Sequence, residues 1–248
     1  MTERTRSGDS TDVVIAGLQK MTLLDFPGKV ACTVFLQGCN FRCPFCHNSD
    51  LLGKDGPEPI PAQELLAFLK KRVGLLDGVC ITGGEPTLQP ALPALLKSIK
   101  ALGYSIKLDT NGSRPDVLKQ LVEEKLVDYV AMDIKNSPHR YGQTAGVPKM
   151  TLENMEESIR FLLSGAVDYE FRTTVMDELH DAAAFSDIGT WLQSLSSDHK
   201  IHRFFLQPYV DRDSVLCGGF TTPCNEKLQK LAEIMKPYAD SVSIRAMD

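Results

Sequence analysis

Three cysteines lie within eight residues of this chain, at positions 39, 43 and 46, in the segment CNFRCPFCHN that spans residues 39–48. Cysteine side chains bind zinc and iron–sulfur clusters and attach haem covalently. Single buried cysteines are common in protein cores. Three at this spacing, in a loop that directly follows an apolar strand, instead indicate a site where metal chemistry takes place.

Three kinds of metal site compete for these cysteines. Structural zinc needs four ligands, and His47 or a distant cysteine would have to complete the set, so zinc stays open. Residues 43–47 match the haem attachment pattern C-x-x-C-H, but that attachment belongs to exported proteins and would leave Cys39 unused. An iron–sulfur cluster fits best, because three thiolates leave one iron of a 4Fe–4S cube free to bind a substrate or cofactor.

The composition restricts the class of protein. The chain has 248 residues, with 27 Lys and Arg against 32 Asp and Glu, for a net charge of −5. This balance argues against a nucleic-acid partner, whose binding domain is usually basic. No apolar run approaches the roughly 18 residues of a membrane span, and residues 1–12 lack the apolar core of a signal peptide. We expect a cytoplasmic protein with no membrane partner, made of a disordered tail (1–12) and a single domain (13–248).

Strand and helix signals alternate along the rest of the chain. Strands are predicted at residues 13–18, 30–37, 78–82, 104–109, 128–133, 169–175, 203–207 and 242–245. Helices are predicted after Pro61, over 92–102, from a Ser113 cap and Pro115, from a Thr151 cap, over 182–195 and from Pro223. About six βα units in series predict an α/β fold with a parallel sheet and helices outside it, closed or partly closed as a barrel. In such folds the chemistry gathers at the C-terminal ends of the strands.

A second motif, Thr82-Gly83-Gly84-Glu85-Pro86, lies at the end of the strand that follows the cysteine segment. Glycines expose backbone carbonyls at no steric cost, and Glu85 offers an anionic acceptor for an ammonium group. Together with C-x3-C-x2-C and Phe45, this motif resembles the radical S-adenosylmethionine (radical SAM) family. The resemblance implies an α/β fold with a partial (open) parallel β/α barrel of the radical SAM type, in which Cys39, Cys43 and Cys46 hold a catalytic 4Fe–4S cluster. It also implies that Gly83, Gly84 and Glu85 bind S-adenosylmethionine.

Further stretches are similar to the glycyl-radical-enzyme activases of that family. They are His47-Asn48 after the last cysteine, Asp109-Thr110-Asn111-Gly112 and Met132-Asp133-Ile134-Lys135. By this resemblance Lys135 pairs with the cofactor carboxylate. Asp109, Thr110, Asn111, Met132 and Asp133 would line a nearby cofactor, cation or ribose contact zone. Arg172 interrupts an apolar strand, and because charged residues are seldom buried without partners, we expect it to face the barrel lumen near cofactor or substrate.

The resemblance covers residues 14–210 and implies a reaction. A flavodoxin or ferredoxin supplies an electron, S-adenosylmethionine is cleaved to a 5′-deoxyadenosyl radical, and that radical generates a glycyl radical on a partner enzyme. The pyruvate formate-lyase activase branch has a histidine after its Leu-Pro-Tyr, whereas Val210 follows Gln207-Pro208-Tyr209 here. The opening segment, residues 18–28, is more like the activases of anaerobic ribonucleoside-triphosphate reductase, which makes that reductase the expected partner and implies that the protein works without oxygen.

Other assignments stay open beside this one. A pyruvate formate-lyase-type activase and a small-molecule radical enzyme similar to a deazaguanine synthase are alternatives within the family. A non-catalytic zinc or iron–sulfur binding module is the alternative of a different class. Cys32 and Cys80 lie on predicted strands and are expected in the core, whereas Cys217 and Cys224 receive no role.

Overall fold

One eight-stranded sheet carries the fold in the computed structural model, which describes residues 13–53, 56–196, 200–212 and 214–245. The predicted tail at 1–12 lies outside the described residues. The strands are β1 (Ile15–Thr22), β2 (Ala31–Leu36), β3 (Gly78–Gly83), β4 (Ser105–Thr110), β5 (Tyr129–Asp133), β6 (Asp168–Val175), β7 (Ile201–Pro208) and β8 (Ala239–Ile244). They lie side by side in chain order.

Seven helices connect or flank these strands within the described part of the chain. They are α1 (Ala62–Lys70), α2 (Leu92–Lys100), α3 (Pro115–Glu123), α4 (Pro138–Thr144), α5 (Glu153–Leu163), α6 (Ala182–Ser194) and α7 (Asn225–Met235). Strands β2 to β8 pair in parallel, each with the next, whereas β1 pairs with β2 in the antiparallel sense. The sheet is unclosed, because no pairing among the described residues joins β8 to β1. The predicted partial parallel β/α barrel is therefore confirmed.

Alternation along each strand separates an outer apolar face from an inner polar one. On β4, Ile106 and Leu108 are fully buried in the core under the helices, whereas Lys107 and Asp109 face the lumen. The same period of two puts Arg172 of β6 in the lumen and Phe171 in the outer core. Side chains at successive positions of a strand point to opposite faces of the sheet. This alternation is what brings charged groups into the barrel.

Three helix starts differ from the sequence predictions. Helix α3 begins at Pro115 as expected, but its N-cap is Arg114, and the Ser113 hydroxyl instead accepts a hydrogen bond from Asn40 Nδ2 at 2.9 Å. Helix α5 has Leu152, not Thr151, as its N-cap, and makes no side-chain cap bond. The last helix begins at Asn225, two residues after Pro223.

Helix α4 was not predicted, because its seven residues PHRYGQT show no apolar repeat. It contributes the fully buried Tyr141 to the core beside β5. Among the described residues no helix is long and apolar enough to cross a membrane.

The end of β3 approaches the loop after β2 so closely that no side chain fits between them. A Cβ on Gly84 would lie 2.0 Å from the carbonyl oxygen of Gly38, and one on Gly83 would lie 2.3 Å from the nitrogen of Leu36. Two backbone bonds join the segments, from Gly84 N to Leu36 O at 2.8 Å and from Glu85 N to Gly38 O at 2.7 Å. The two glycines are thus required by backbone contact.

Replacing Gly84 with alanine should lower the free energy of unfolding by about 1–3 kcal/mol, because the added methyl group meets backbone that cannot move aside. Urea unfolding followed by circular dichroism measures this change. Gly218→Ala is the matched control, because a Cβ there meets nothing within 4 Å. Equal losses in the two variants would show that the close approach is relaxed in solution.

Candidate active site

All three clustered cysteines line one cavity of about 510 Å³ at the C-terminal ends of the strands. They lie on the loop that leaves β2, where Cys43 is buried and Cys39 and Cys46 are half-buried. The loop is held by backbone bonds from Cys46 N to Cys43 O at 3.0 Å and from Arg42 N to Ala145 O at 2.9 Å. The structure therefore brings the predicted cysteine site to the predicted end of the barrel.

The three thiols must lose their protons before they can bind a metal centre. Burial raises the pKa of Cys39 to about 11, and burial also raises the pKa values of Cys43 and Cys46 above the ordinary thiol value. The backbone N–H of Phe41 donates to Cys39 Sγ at 3.3 Å, and the ammonium of Lys135 acts against the rise at all three thiols. Thiolates are the metal ligands, so metal binding here releases protons.

The geometry does not support the zinc alternative. Within the described ranges, no group of three or more His, Cys, Asp or Glu side chains is placed to hold one metal ion. Zinc needs four ligands around one point. Three soft thiols around a shared cavity fit a cluster in which each thiolate binds a different iron. The donor set present therefore fits an iron–sulfur cluster.

Glu85 ties the end of β3 to the end of β4. Its side chain is 1 % exposed. Oxygen Oε1 accepts hydrogen bonds from Thr87 N at 3.1 Å, Thr87 Oγ1 at 2.5 Å and Thr110 Oγ1 at 2.8 Å, while Oε2 accepts from Asn111 N at 2.7 Å. Burial raises the pKa of Glu85, and these donors oppose the rise. Glu85 therefore braces the cavity wall, and its binding of an ammonium group stays a prediction.

Asn111 joins the wall to the cysteine loop. Its Nδ2 donates to Asn40 Oδ1 at 2.9 Å and approaches Cys39 Sγ at 4.0 Å, while its Oδ1 accepts from Ser113 N at 2.9 Å. The side chain lines the cavity. Asn111 is therefore placed beside the cysteine site, as the resemblance led us to expect, and its contact with a cofactor stays a prediction.

An alternating chain of five charged side chains, which we call the ion chain, crosses the cavity floor. Its members are Lys107, Asp109, Arg172, Asp133 and Lys135. Asp109 pairs through Oδ1 with Lys107 and through Oδ2 with Arg172 NH1 at 3.1 Å. Asp133 pairs through Oδ1 with Arg172 Nε at 2.5 Å and through Oδ2 with Lys135 Nζ at 2.8 Å. Every oxygen of both carboxylates therefore faces a side-chain cation.

These pairings keep both carboxylates ionised. Burial, the largest single influence, would raise the pKa of Asp109 and of Asp133, but Arg172 together with Lys107 at Asp109, and with Lys135 at Asp133, outweighs it and lowers both pKa values. Burial would likewise lower the pKa of Lys135, but Asp133 and Cys43 outweigh it and raise that pKa. The expected lumenal position of Arg172 is what the structure shows. A cation or ribose contact at the two aspartates would have to compete with Arg172.

Sequence reasoning missed Lys107, the first member of the ion chain. Its side chain is 1 % exposed, and the signal was available, because a lysine inside an apolar strand is as unusual as an arginine there. Lys107 and Asp109 are also two apart on β4, so they share one face. The rule applied to Arg172 would have found Lys107.

Two C-terminal segments that the sequence left without a role support the cysteine loop. His47 Nε2 lies 2.6 Å from Val210 O, and its ring stacks on Tyr209 at 5.5 Å. Backbone bonds run from Leu216 N to Cys46 O at 3.2 Å and from Cys217 N to Pro44 O at 2.8 Å. Cys217 thus lies behind the cysteine loop, with its side chain exposed. Cys224 is an exposed N-cap of α7, and Cys32 and Cys80 are fully buried, as expected.

Comparisons with known proteins agree with this geometry. Residues 33–204 match the family model described as the radical SAM superfamily. A Methanocaldococcus jannaschii protein with a provisional name as a glycyl-radical enzyme activating enzyme is 28% identical over 242 residues, 95% of this chain and 97% of that one. The pyruvate formate-lyase-activating enzyme of Clostridium pasteurianum is 36% identical over 127 residues, 49% of this chain and 52% of that one.

The fold also matches solved structures. Streptococcus suis SuiB, in a crystal structure bound to S-adenosylmethionine, aligns with a TM-score of 0.66 at 15% identity. The alignment covers 85% of this chain and 48% of SuiB. At this identity the match shows the fold alone.

Arg172→Met should lower the free energy of unfolding by about 3–5 kcal/mol near neutral pH, because it leaves two buried carboxylates short of a cation. The folded-state pKa values of Asp109 and Asp133 are lowered. Their stabilisation is therefore present above the unfolded value of about 3.9 and lost as pH falls through the folded values. The difference between variant and wild type should therefore be constant from pH 7 to about 4 and should shrink as pH falls below about 4.

Urea titrations at several pH values measure that difference. Arg160→Met, which removes an exposed helix pair with Glu156, is the control and should change stability by about 0.5 kcal/mol or less at every pH. A loss in Arg172→Met that also stayed constant below about pH 4 would contradict the ion chain.

Proposed function

The chain belongs to the radical SAM superfamily and is a radical SAM enzyme, and from that premise we propose that it generates a glycyl radical on a partner protein. The proposal extends to a 4Fe–4S cluster held by Cys39, Cys43 and Cys46, and to S-adenosylmethionine as the second cofactor. Support comes from the relative that is named for this activity and that aligns along nearly its whole length.

One observation carries the proposal. The three thiols and the segment Gly83–Glu85 line the same cavity, together with the ion chain. When bound, the cluster and S-adenosylmethionine supply one reductive step, which gives methionine and a 5′-deoxyadenosyl radical. That cleavage chemistry belongs to the cofactors, and the protein supplies binding, orientation and exclusion of side reactions.

The residues of this chain divide that work between them. The three cysteines would hold the cluster as thiolates, and Lys135 offsets negative charge next to Cys43. Gly83, Gly84 and Glu85 form the wall on which the cofactor amino group would lie. Asp109 and Asn111 continue that wall, while Arg172 fixes Asp109. These assignments rest on the resemblance to the family, and the position of each residue in the cavity supports them.

The open side of the barrel suits a protein substrate. Leu24, beyond β1, and Arg245, beyond β8, both line the cavity, so the gap between the two edge strands leads into it. Met21, Leu23 and Leu24 are large apolar residues that are 62–67 % exposed, and they lie where β1 ends beside the start of β2. A glycine on a loop of a partner enzyme could enter by this route.

Anaerobic ribonucleoside-triphosphate reductase is the partner we propose. The resemblance of residues 18–28 favours that branch, and Val210 stands where the pyruvate formate-lyase branch has a histidine. A flavodoxin or ferredoxin would deliver the electron. We place the reaction in an oxygen-free cytoplasm, because a cluster with an open iron is sensitive to oxygen.

Cys43→Ala should lose the cluster and the cleavage activity together, because the remaining pair of thiols cannot hold three irons of the cube. The wild-type chain and the variant are reconstituted anaerobically with iron and sulfide. Bound iron and sulfide are then assayed, and 5′-deoxyadenosine is measured after reduction with dithionite. Cys217→Ala is the control, because Cys217 is exposed and contributes only a backbone bond to the cysteine loop. Cleavage that survives in Cys43→Ala would refute the cluster assignment.

Electron paramagnetic resonance tests the partner. The reconstituted enzyme, S-adenosylmethionine and reductant are mixed anaerobically with anaerobic ribonucleoside-triphosphate reductase, and a doublet signal from a glycyl radical is expected. Pyruvate formate-lyase is the parallel sample, and a signal there alone would move the protein to the other activase branch. Formation of 5′-deoxyadenosine with no protein radical in either sample would favour a small-molecule substrate.

A further inference from the structure

His180 lies fully buried in the turn between β6 and α6. The turn closes on itself through two bonds, from His180 N to Met176 O at 3.2 Å and from Met176 N to His180 Nδ1 at 3.3 Å. Nothing in the sequence had pointed to this histidine, since it stands in no motif.

Its partners determine which ring nitrogen carries the proton. The backbone N–H of Met176 can only donate, so Nδ1 must accept. The carbonyl of Lys135, 2.9 Å from Nε2, can only accept, so Nε2 must donate. Burial lowers the pKa of His180 to about 4, which keeps the ring neutral with this proton in place.

The same segment of chain is held at two more carbonyls in a row. Tyr141 Oη donates to Asp133 O at 3.2 Å, and Thr173 Oγ1 donates to Ile134 O at 2.7 Å. We call Tyr141, Thr173 and His180 the carbonyl clamp. They come from α4, β6 and the turn after β6, so three separate elements hold this one strand end.

The carbonyl clamp fixes the backbone at Lys135. Its ammonium lies in the cavity near Cys43 and pairs with Asp133 at 2.8 Å. A lysine side chain is a flexible four-carbon stem with a compact charge at its tip. Asp133 holds the ammonium group at the end of this side chain, and the carbonyl clamp holds the backbone from which the side chain starts. Without a fixed backbone at Lys135, the ammonium would spread over several positions in the cavity.

We infer that His180 is a positioning residue that, through the Lys135 carbonyl, sets the position of the Lys135 ammonium for an anionic group in the cavity. The inference rests on the proposed function, in which that group is the carboxylate of S-adenosylmethionine. His180 itself does not line the cavity and touches no cofactor position.

Variants at position 180 separate the two ring nitrogens. His180→Gln can place an amide N–H where Nε2 lies and so keep the donor to Lys135. His180→Asn reaches only the position of Nδ1, so it preserves the turn bond with Met176 and loses the donor. His202→Asn is the control, because His202 is 68% exposed at the start of β7, the end remote from the cysteines.

The experiment uses holoenzyme reconstituted with its cluster, and each variant is first checked for iron content and melting temperature. The reduced cluster is titrated with S-adenosylmethionine, and the change in its electron paramagnetic resonance spectrum gives an apparent Kd. We expect His180→Asn to raise this Kd about tenfold, the effect of one buried hydrogen bond. His180→Gln and His202→Asn should stay within about threefold of wild type. In cleavage assays KM should rise with Kd while kcat changes little.

A double-mutant cycle with Lys135→Met distinguishes positioning from a general structural role. If His180 acts through Lys135, His180→Asn should add less than about twofold to the Kd of Lys135→Met. An undiminished tenfold effect in that background would overturn the inference, as would an unchanged Kd in a folded His180→Asn single variant. If His180→Asn fails to fold, Thr173→Val and Tyr141→Phe replace it in the same cycle, each removing one clamp donor. Unchanged Kd values in both would likewise overturn the inference.

The response of the wild-type cluster to S-adenosylmethionine distinguishes a failure of the proposed function from a failure of the inference about His180. A wild-type cluster whose spectrum does not respond to S-adenosylmethionine would overturn the proposed function, and the inference with it. A normal wild-type response with variants equal to wild type would overturn only the role of His180.

Discussion

The ion chain across the cavity floor is the interaction on which the site depends. It joins β4, β5 and β6 through side chains that point into the lumen and are largely removed from water. An unpaired charge in such a place is far less stable than a paired one. Removal of any one of the five side chains would therefore leave a neighbouring charge without one of its partners. With three cations and two carboxylates, the ion chain carries one net positive charge. That excess lies beneath three thiols that must become thiolates to bind metal.

The wall above this floor is built by a different constraint, the contact of backbone with backbone. Gly84 lies against Gly38 with no room for a Cβ, and this contact aligns the end of β3 with the cysteine loop. Glu85 then reaches across to Thr110 and Asn111 at the end of β4. The two constraints meet at β4, since Asp109 belongs to the floor and Asn111 to the wall. Movement of one strand end would therefore disturb both.

The sheet is open because its two edge strands, β1 and β8, do not pair with each other in the described part of the chain. Strand β1 runs antiparallel to β2 and ends the sheet on one side, and β8 ends it on the other. A closed barrel would have no unpaired edges and would confine the cavity. The unclosed sheet leaves the cavity accessible between two edges, one of which carries exposed apolar side chains. The charged residues that lie deep in the cavity are the most constrained, and the apolar residues at the end of β1 are the most exposed.

The order of strands and helices and the cysteine site could be predicted from the sequence, because each depends on a pattern that is local in the chain. The open form of the barrel was expected only from the resemblance to the radical SAM family. Period-two and helical apolar repeats specify the elements, and right-handed parallel connections leave few ways to assemble them. Arg172 could be placed in the lumen because a charged side chain within an apolar strand is seldom buried without a partner. Lys107 was open to the same rule and was overlooked, whereas α4 carries no apolar repeat from which a rule could start.

Only the tertiary structure decided what those residues do to one another. It showed that Glu85 braces two strands and that Arg172 lies between two aspartates. It also showed that His180 contacts the backbone carbonyl of Lys135 from a turn 45 residues away in sequence. Such contacts join side chains from separate elements at distances of about 3 Å. No local pattern encodes a distance of that kind, because it results from the packing of the whole sheet against its helices.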